Sequence, residues 1–451
     1  MRSDTIFAVA SAAGLGASAM VRVSGPGARD ALRRISGRGV AAPQRLSLAT
    51  LTDPETEEIV DRGLVAWFPG PRSFTGEDVA EFHVHGGRAV MAGLIDALSK
   101  VSGLRVAEAG EFTRRAFENG KMDLTEAEGL ADLVAAETAA QRRQALRQME
   151  GALGRVIEDW RRRLLGALAH LEATIDFSDE DLPAGLDHEV RSEAAALARE
   201  VASHLNDDRR GERLRDGVTI AVVGAPNAGK SSLVNHLAQR DAAIVSASAG
   251  TTRDVVEVHL DLGGYPVVVA DTAGLRDDAP AGDGGHADVE REGIRRARKR
   301  AEEADVKLAV FDGCRWPSVD CHTTALVDAN TIVVINKSDL GAPAPPLAVN
   351  GNAAHPVSAL TGAGIDALVD ALTGAVAGRC TGSAAPPLTR ARHRSALQNC
   401  HESLDRALLA PSPELCAEDL RLAVRALGRI AGRVDVEEVL DVIFAEFCIG
   451  K

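Results

Sequence analysis

The stretch GAPNAGKS, Gly224 to Ser231, decides the fold of the middle of this chain. It fits the pattern G-x-x-x-x-G-K-[S/T] and directly follows an apolar run, Val218 to Val223, that predicts a strand. Glycines in such a loop let backbone N–H groups close around phosphate oxygens, and the N-terminus of the following helix favours negative charge. We therefore predict a phosphate-binding loop in which Lys230 reaches the β- and γ-phosphates and Ser231 binds Mg²⁺.

Four further motifs follow in the order expected of a GTPase. Gly250–Asp254 (GTTRD) supplies a threonine for the Mg²⁺ shell, and Asp271–Gly274 (DTAG) offers a carboxylate for the metal's water and an N–H for the γ-phosphate. Asn336–Asp339 (NKSD) ends in a carboxylate that can accept both hydrogens from the N1/N2 edge of guanine, which adenine lacks. Ser358–Leu360 (SAL) fits the short loop behind the base. The nucleotide is therefore predicted to be GTP.

The residues predicted to bind GTP all lie in these motifs or in the loop that leads to GTTRD. They are Asn227, Ala228, Gly229, Lys230, Ser231, Ser232, Ser246, Ala247, Ser248, Ala249, Gly250, Thr251, Thr252, Asp271, Thr272, Ala273, Gly274, Asn336, Lys337, Ser338, Asp339, Ser358, Ala359 and Leu360. Ser231 and Thr252 are the predicted Mg²⁺ ligands.

These motifs do not include a residue that orients the attacking water. In Ras-like proteins a glutamine soon after the D-x-x-G glycine has this role, and an arginine finger neutralises charge in the transition state. Here Leu275 follows Gly274, and a leucine can do neither. We expect this GTPase to complete its hydrolytic site in another way.

Hydrophobic periodicity predicts three kinds of structure along the chain. Up to about residue 118, short strand-like runs over 6–10, 19–23, 63–68 and 79–84 alternate with helical stretches near 28–36 and 88–100. From about 120 to 210, long Ala/Leu-rich segments repeat with a helical period. From Val218 to about 375, strands alternate with helices, which is typical of a parallel sheet. Gly263-Gly264 between two apolar runs predicts a hairpin with an antiparallel edge strand. The stretch AGRCTGSAAPPLTR, 377–390, predicts a linker before two or three final helices.

These patterns predict a multidomain α+β and α/β protein in which a Ras-like P-loop GTPase domain interrupts a helical bundle. The predicted domains are an N-terminal α+β domain over 1–118, the first half of a helical domain over 119–215, the GTPase domain over 216–378 and the second helical half over 379–451. The two helical halves are expected to pack together.

Composition favours a reduced, cytoplasmic enzyme or binding protein. The six cysteines form no C-x-x-C pair, the first residues lack a secretory signal pattern, and no apolar stretch of about 18 residues is present. The net charge of −14, from 51 basic and 65 acidic residues, argues against non-specific binding to nucleic acid or anionic lipid.

The residues resemble one family over essentially the whole chain, the bacterial tRNA modification GTPases called MnmE or TrmE. The resemblance rests on MVRVSGPGA, FPGPRSFTGEDVAEFHVHGG, AGEFTRRAFENGKMDLTEAEGLADL, DTAGLR and the final FCIGK, in addition to the nucleotide motifs. It implies a homodimer, a potassium-dependent GTPase domain that dimerises across its nucleotide faces, and an FAD-dependent partner, MnmG or GidA, in a heterotetramer that acts on tRNA. FAD is expected only on that partner.

The resemblance also implies roles for single residues. The potassium ion would take the place of an arginine finger, and the water-orienting residue would be Glu290 in DVEREGI. The N-terminal module would bind 5-formyl-tetrahydrofolate or a related one-carbon folate. The implied potassium ligands are Asn227, Ser246, Ser248 and Thr251, and the implied folate-binding residues are Arg22, Glu81, Lys121 and Lys451.

Cys448 in the final EFCIGK is predicted to be reactive rather than structural. Gly450 suggests that the preceding helix has ended, and an ammonium group from Lys451 would favour the thiolate. Resemblance adds that this cysteine is needed for modification and not for GTP hydrolysis.

We therefore expect a GTPase that, with MnmG, adds an aminomethyl or carboxymethylaminomethyl group at C5 of the wobble uridine, position 34, of certain tRNAs. Two alternatives stay open from the sequence. One is a GTPase of ribosome assembly, and the other is a regulatory switch without modification chemistry.

Overall fold

The structure is a computed structural model. It describes residues 4–12, 14, 16–37, 42–176, 186–240, 257–271, 298–341, 347–382, 385–434, 437–445, 447 and 449–450. The chain divides into two compact units. Unit 1 comprises residues 1–131, 148–162 and 424–451, and unit 2 comprises residues 132–147 and 163–423.

Unit 1 contains a six-stranded, mostly antiparallel sheet. Its strands are β1 (Thr5–Val9), β2 (Gly16–Ser24), β3 (Ser47–Thr52), β4 (Ile59–Phe68), β5 (Val79–Gly86) and β6 (Leu104–Val106). Their order across the sheet is β3-β4-β5-β2-β1-β6, and β1 and β6 are parallel. The runs Ile6–Ala10, Ala19–Val23, Gly63–Phe68 and Val79–Val84 were each expected to be strands, and the sheet confirms them, whereas β3 and β6 were not predicted.

Two amphipathic helices of unit 1, Ala28–Ser36 and Arg88–Ser99, pack on this sheet. Leu32 and Ile35 in the first helix and Leu94 and Leu98 in the second recur at three- or four-residue spacing and are fully buried. They join a core cluster with strand residues such as Phe82. The predicted helical stretches near 28–36 and 88–100 are thus confirmed, and a further helix, Glu111–Glu118, follows.

Unit 2 contains a seven-stranded sheet around the phosphate-loop motif. Its strands are β7 (Val218–Val223), β8 (Glu257–Leu262), β9 (Tyr265–Asp271), β10 (Val306–Asp312), β11 (Thr331–Asn336), β12 (Ala348–Val349) and β13 (Asn352–Pro356). Their order is β12-β13-β11-β10-β7-β9-β8. The five inner strands run parallel, as the alternation of strands and helices predicts.

Helices Lys230–Arg240 and Ile365–Cys380, the short helix Cys321–Thr324 and two 3₁₀ turns, Gly313–Arg315 and Ser338–Leu340, accompany this sheet. The predicted hairpin is confirmed, because Leu262 pairs with Tyr265 across Gly263-Gly264 and β8 is an antiparallel edge strand. Both glycines have positive φ, which suits a two-residue turn.

Further helices precede or follow the GTPase motifs along the sequence. They are Leu124–Ala135, Ala139–Met149, Ala152–Asp176, Leu186–Leu205, Arg210–Asp216, Ala391–Leu409, Pro413–Ala431 and Glu437–Ala445. The expectation that the two helical halves pack together is confirmed within each unit. In unit 2, Arg191 donates to the Leu408 carbonyl at 2.9 Å, and in unit 1, Leu124 packs with Ile443 and Phe444.

The predicted linker over 377–390 is wrong in its first part. The helix Ile365–Cys380 continues into it, because Leu372, Val376 and Cys380 extend one buried face at four-residue spacing. The prediction from composition therefore placed the end of this helix too early in the sequence.

Candidate functional site

The phosphate-loop motif lies between strand β7 and the helix Lys230–Arg240. Asn227 has φ +60° and Gly229 has φ +90°, and these two left-handed residues turn the chain into the helix. Lys230 is only 7% exposed, and its Nζ donates to the carbonyls of Gly224 and Ala225 at 3.0 Å each. The helix N-terminus and this ammonium group give the loop the positive potential that a phosphate needs.

Asn336 joins three of the predicted nucleotide segments. Its Nδ2 donates to the Ala228 carbonyl at 2.9 Å, and its Oδ1 accepts from the Ala359 N–H at 3.0 Å. The side chain is 3% exposed. A Cβ atom at position 229 would clash with Nδ2 of Asn336, so this position requires glycine. The phosphate loop and the SAL loop are thus tied to the end of β11 by one buried amide.

The rest of the NKSD and SAL motifs surrounds the carboxyl end of β11. Ser338 N donates to the Val357 carbonyl at 3.0 Å, and Asp339 in the 3₁₀ turn is exposed. Ser358 is buried, and its Oγ accepts from the Thr361 N–H at 3.1 Å. Leu360 is exposed. Asp339 therefore offers its carboxylate to solvent at an edge where polar ligands of parallel sheets bind.

Other predicted nucleotide residues are only partly described. Ser231 and Ser232 begin the helix after the loop, and Asp271 ends β9 opposite Val222 of β7. The remainder of the predicted nucleotide, metal and catalytic residues lie outside the described residues. These are Ser246, Ala247, Ser248, Ala249, Gly250, Thr251, Thr252, Thr272, Ala273, Gly274, Glu290, Cys448 and the folate candidate Lys451.

The described part of the loop carries oxygen donors that suit the predicted cations. Asn227 is exposed beside the loop, and Ser231 stands at the first turn of the helix. Hydroxyl and amide oxygens are ligands that Mg²⁺ and other hard cations accept, and Mg²⁺ in nucleotide sites takes few protein ligands because phosphate and water complete its shell. The described ranges hold no cluster of three His, Cys, Asp or Glu side chains placed to bind a metal ion.

The predicted folate residues Arg22 and Glu81 form one pair. They are register partners on β2 and β5, and Nη2 of Arg22 lies 3.0 Å from Oε1 of Glu81. The Arg22 guanidinium lies 5.2 Å from the ring centre of Phe74 and 5.9 Å from that of Phe112. His83 Nε2 lies 3.3 Å from the other Glu81 oxygen.

Arg22 and Glu81 are thus a half-buried ion pair. The rings of Phe74 and Phe112 lie near the guanidinium, and His83 contacts the carboxylate. No role for Phe74, Phe112 or His83 was predicted from the sequence. The alternation along EFHVHGG places Glu81 and His83 on one face of a strand and could have suggested His83.

Lys121 reaches the same part of unit 1. Its Nζ donates to the Pro71 carbonyl at 3.0 Å, and its alkyl chain lies against Gly76. Both residues belong to the loop that carries Phe74 between β4 and β5. Lys121 and Arg22 therefore contact one loop.

The C-terminal tail also lies within unit 1. Ile449 forms an isolated antiparallel bridge with Ala109. Gly450 has φ +102°, and a Cβ atom there would clash with the Val9 carbonyl, so a glycine is required. Because Ala8, next to Val9, is the register partner of Arg22, the tail backbone reaches the strand beside the Arg22–Glu81 pair.

Comparison with known families decides the assignment. The model of the MnmE helical domain matches residues 124–448, and the model of the GTP-binding protein TrmE N-terminus matches residues 5–121. The chain belongs to the MnmE family of tRNA modification GTPases. The resemblance drawn from the motifs is thereby confirmed.

Individual MnmE relatives align along the full length. The tRNA modification GTPase MnmE of Paramagnetospirillum magneticum is 56% identical, with 100% of each chain covered. That of Parvibaculum lavamentivorans is 55% identical over 99% of this chain and 100% of its own. A mitochondrial protein of Danio rerio, "5-taurinomethyluridine-[tRNA] synthase subunit GTPB3", is 47% identical over 99% of this chain and 93% of its own. Among the described helices, none has the length and apolar character needed to cross a bilayer.

Proposed function

We propose that this chain is a potassium-dependent GTPase that modifies C5 of the wobble uridine, position 34, of certain tRNAs. It acts with an FAD-dependent MnmG-like partner and adds an aminomethyl or carboxymethylaminomethyl group, with a formyl- or methylene-tetrahydrofolate as carbon source. Membership of a family of tRNA modification GTPases supports the hydrolytic and RNA-directed parts. A relative whose name refers to a 5-substituted uridine in tRNA supports the choice of base and of carbon atom.

The hydrolytic part is supported by the geometry at the carboxyl ends of β7 and β11. Lys230 lies in the phosphate loop, and Asn336 holds that loop to the SAL loop behind the proposed base position. Asp339 can accept the two guanine hydrogens. Mg²⁺, bound by Ser231 and Thr252, supplies charge neutralisation at the phosphates. Potassium, bound by Asn227, Ser246, Ser248 and Thr251, supplies the positive charge that Ras-like proteins take from an arginine.

The one-carbon part is supported by the pair on β2 and β5. Glu81 can hydrogen-bond an amidine-like edge of a pterin, while Arg22 and Lys121 can neutralise the carboxylates of a folate tail. Phe74, near the guanidinium and partly exposed, provides flat apolar surface for an aromatic ring. We also propose that Lys451 contributes to folate binding.

The observation that carries the whole proposal is the contact of the tail with β1. Ile449 bridges Ala109, and Gly450 lies against Val9 of β1, the strand whose neighbour bears Arg22. We take Cys448, which precedes these two residues in sequence, as the reactive residue of the tail. A reactive thiol beside a one-carbon carrier suits transfer chemistry, whereas a simple switch has no need of it.

Assembly into a homodimer is supported by exposed apolar residues on β3, β4 and their flanks. Leu48 and Leu64 are register partners on these strands, and they are 70% and 40% exposed. Leu46 and Ile59 are also exposed, and β3 is a sheet edge. Such a surface favours pairing with a second copy. A heterotetramer with the MnmG-like partner in the cytoplasm, with tRNA held largely by that partner, fits the chain's net charge of −14.

The proposal is tested by mass spectrometry of tRNA nucleosides from a strain that lacks the gene. We expect the C5 substituent to disappear from the wobble uridine and to return when the intact gene is supplied. Unchanged wobble-uridine modification would leave ribosome assembly or a regulatory role as the function and would contradict the proposal.

Potassium dependence has a separate test. We predict that GTP turnover is faster in potassium than in sodium by about tenfold or more, since an arginine finger contributes about 10³–10⁵ in rate. Asn227→Ala should remove most of that difference, and the exposed helix residue Asn399, changed to alanine, is the matched control. Equal rates in the two salts would rule out the ion site.

A further inference from the structure

Asp312 lies at the nucleotide edge of the sheet and contacts a residue of the guanine motif. It is the last residue of β10 and the register partner of Asn336, the last residue of β11. Its Oδ2 lies 2.7 Å from Nζ of Lys337. Its Oδ1 accepts from the Cys314 N–H at 3.0 Å. Each carboxylate oxygen therefore has a partner, and the orientation of the group is fixed.

The environment of the pair favours the charged form of the Asp312 carboxylate. The side chains of Lys337 and Asp312 are 31% and 19% exposed. Burial acts to raise the pKa of Asp312, but the hydrogen bonds from Lys337 and from the Cys314 backbone outweigh it and hold that pKa below its usual value. Lys337 itself has φ +65°, a backbone conformation that is uncommon for residues other than glycine.

We propose that Asp312 is a positioning residue of the guanine site, which holds the Lys337 side chain in place for the nucleotide. The inference rests on the proposed GTP site, because it takes Lys337 as a residue that contacts the nucleotide. A lysine without this anchor has more rotamers to lose when the nucleotide binds, so affinity falls while the hydrolytic step, at the other end of the nucleotide, is unchanged.

The same strand offers a matched control. Lys307, near the start of β10, pairs with Asp328 at 2.7 Å. Asp328 precedes β11, at the opposite end of the two strands from Asp312, and the partners of its carboxylate lower its pKa against the effect of burial as well. Asp328→Asn therefore removes one lysine–aspartate pair from the same strands without touching the nucleotide edge.

The test measures the KM and kcat of GTP hydrolysis and the Kd of GDP for the full chain carrying D312N, D328N or D339N. We expect D312N to raise KM and Kd about 3- to 10-fold, the cost of immobilising one long side chain, with kcat unchanged. D328N should leave all three values unchanged, and D339N should weaken binding most, since it removes the acceptor for guanine.

A double-mutant cycle with K337M tests whether Asp312 acts through Lys337. In the K337M background, D312N should have no further effect on the Kd of GDP, whereas additive losses would overturn the inference. If D312N has the KM, kcat and Kd of the intact chain while D339N binds GDP more weakly, the inference on Asp312 is overturned and the proposed guanine site is not. If D339N also leaves affinity unchanged, the proposed guanine site itself is wrong. Should D312N fail to fold, D312S measured against D328S removes the same two ion pairs, and a Kd of D312S equal to that of the intact chain would overturn the inference.

Discussion

Arg115 has the largest side chain among the fully buried residues that the structure describes. Its guanidinium contacts Glu111 at 2.9 Å, Asp4 at 3.2 Å and Glu77 at 3.2 Å. Burial acts to raise the pKa of Glu111, but hydrogen bonds from Arg105, from the Glu108 backbone and from Arg115 lower it to about 2. The motif EFTRRAF thus builds a buried charge network, which its polar sequence alone could not distinguish from a solvated helix face.

We predict that Arg115→Ala destabilises unit 1 by about 3–5 kcal/mol, because it removes a fully buried side chain and one of the two arginines that pair with the buried Glu111 carboxylate. Arg33→Ala is the control, since Arg33 makes an exposed pair with Asp30 that contributes about 1 kcal/mol or less. Hydrogen exchange of peptides from residues 5–121 across a urea series measures both. Equal effects of the two substitutions would show that the network contributes little.

At the scale of elements, the sequence was sufficient to predict a turn when the residues that determine it are neighbours in sequence. The phosphate loop and the Gly263-Gly264 hairpin were predicted because their turns depend on adjacent residues. The linker was placed too early because packing of Val376 and Cys380, and not composition, decides where the helix ends. Strand β6 is three residues long and forms by pairing with β1, which is about 100 residues away in sequence.

Side-chain clusters from distant elements were beyond the sequence for the same reason. The Asp132 carboxylate accepts from Arg215 at 3.0 Å and from Arg390 at 2.9 Å, and so joins the segments that enter and leave the GTPase part of unit 2. No local pattern links these three positions. Likewise, Arg22 and Glu81 were predicted separately, and their pairing and the rings of Phe74 and Phe112 came only from the sheet register and the loop above it.

At the scale of the whole molecule, the two sets of candidate residues belong to different units. The described nucleotide residues, such as Lys230 and Asn336, lie in unit 2, and Arg22, Glu81, Lys121 and the tail residue Gly450 lie in unit 1. Each unit completes its own core, so a substitution in one candidate site need not disturb the chemistry of the other. GTP hydrolysis and tRNA modification should therefore be separable by single substitutions.

Cys448→Ser tests this separation most directly, with the exposed Cys321→Ser as control. The measurement pairs the GTP hydrolysis rate of each purified variant with the wobble-uridine content of tRNA from the deletion strain that carries it. We predict that Cys448→Ser hydrolyses GTP at the rate of the intact protein and restores no modification, while Cys321→Ser preserves both. A Cys448→Ser protein that still modifies tRNA would contradict a catalytic thiol in the tail.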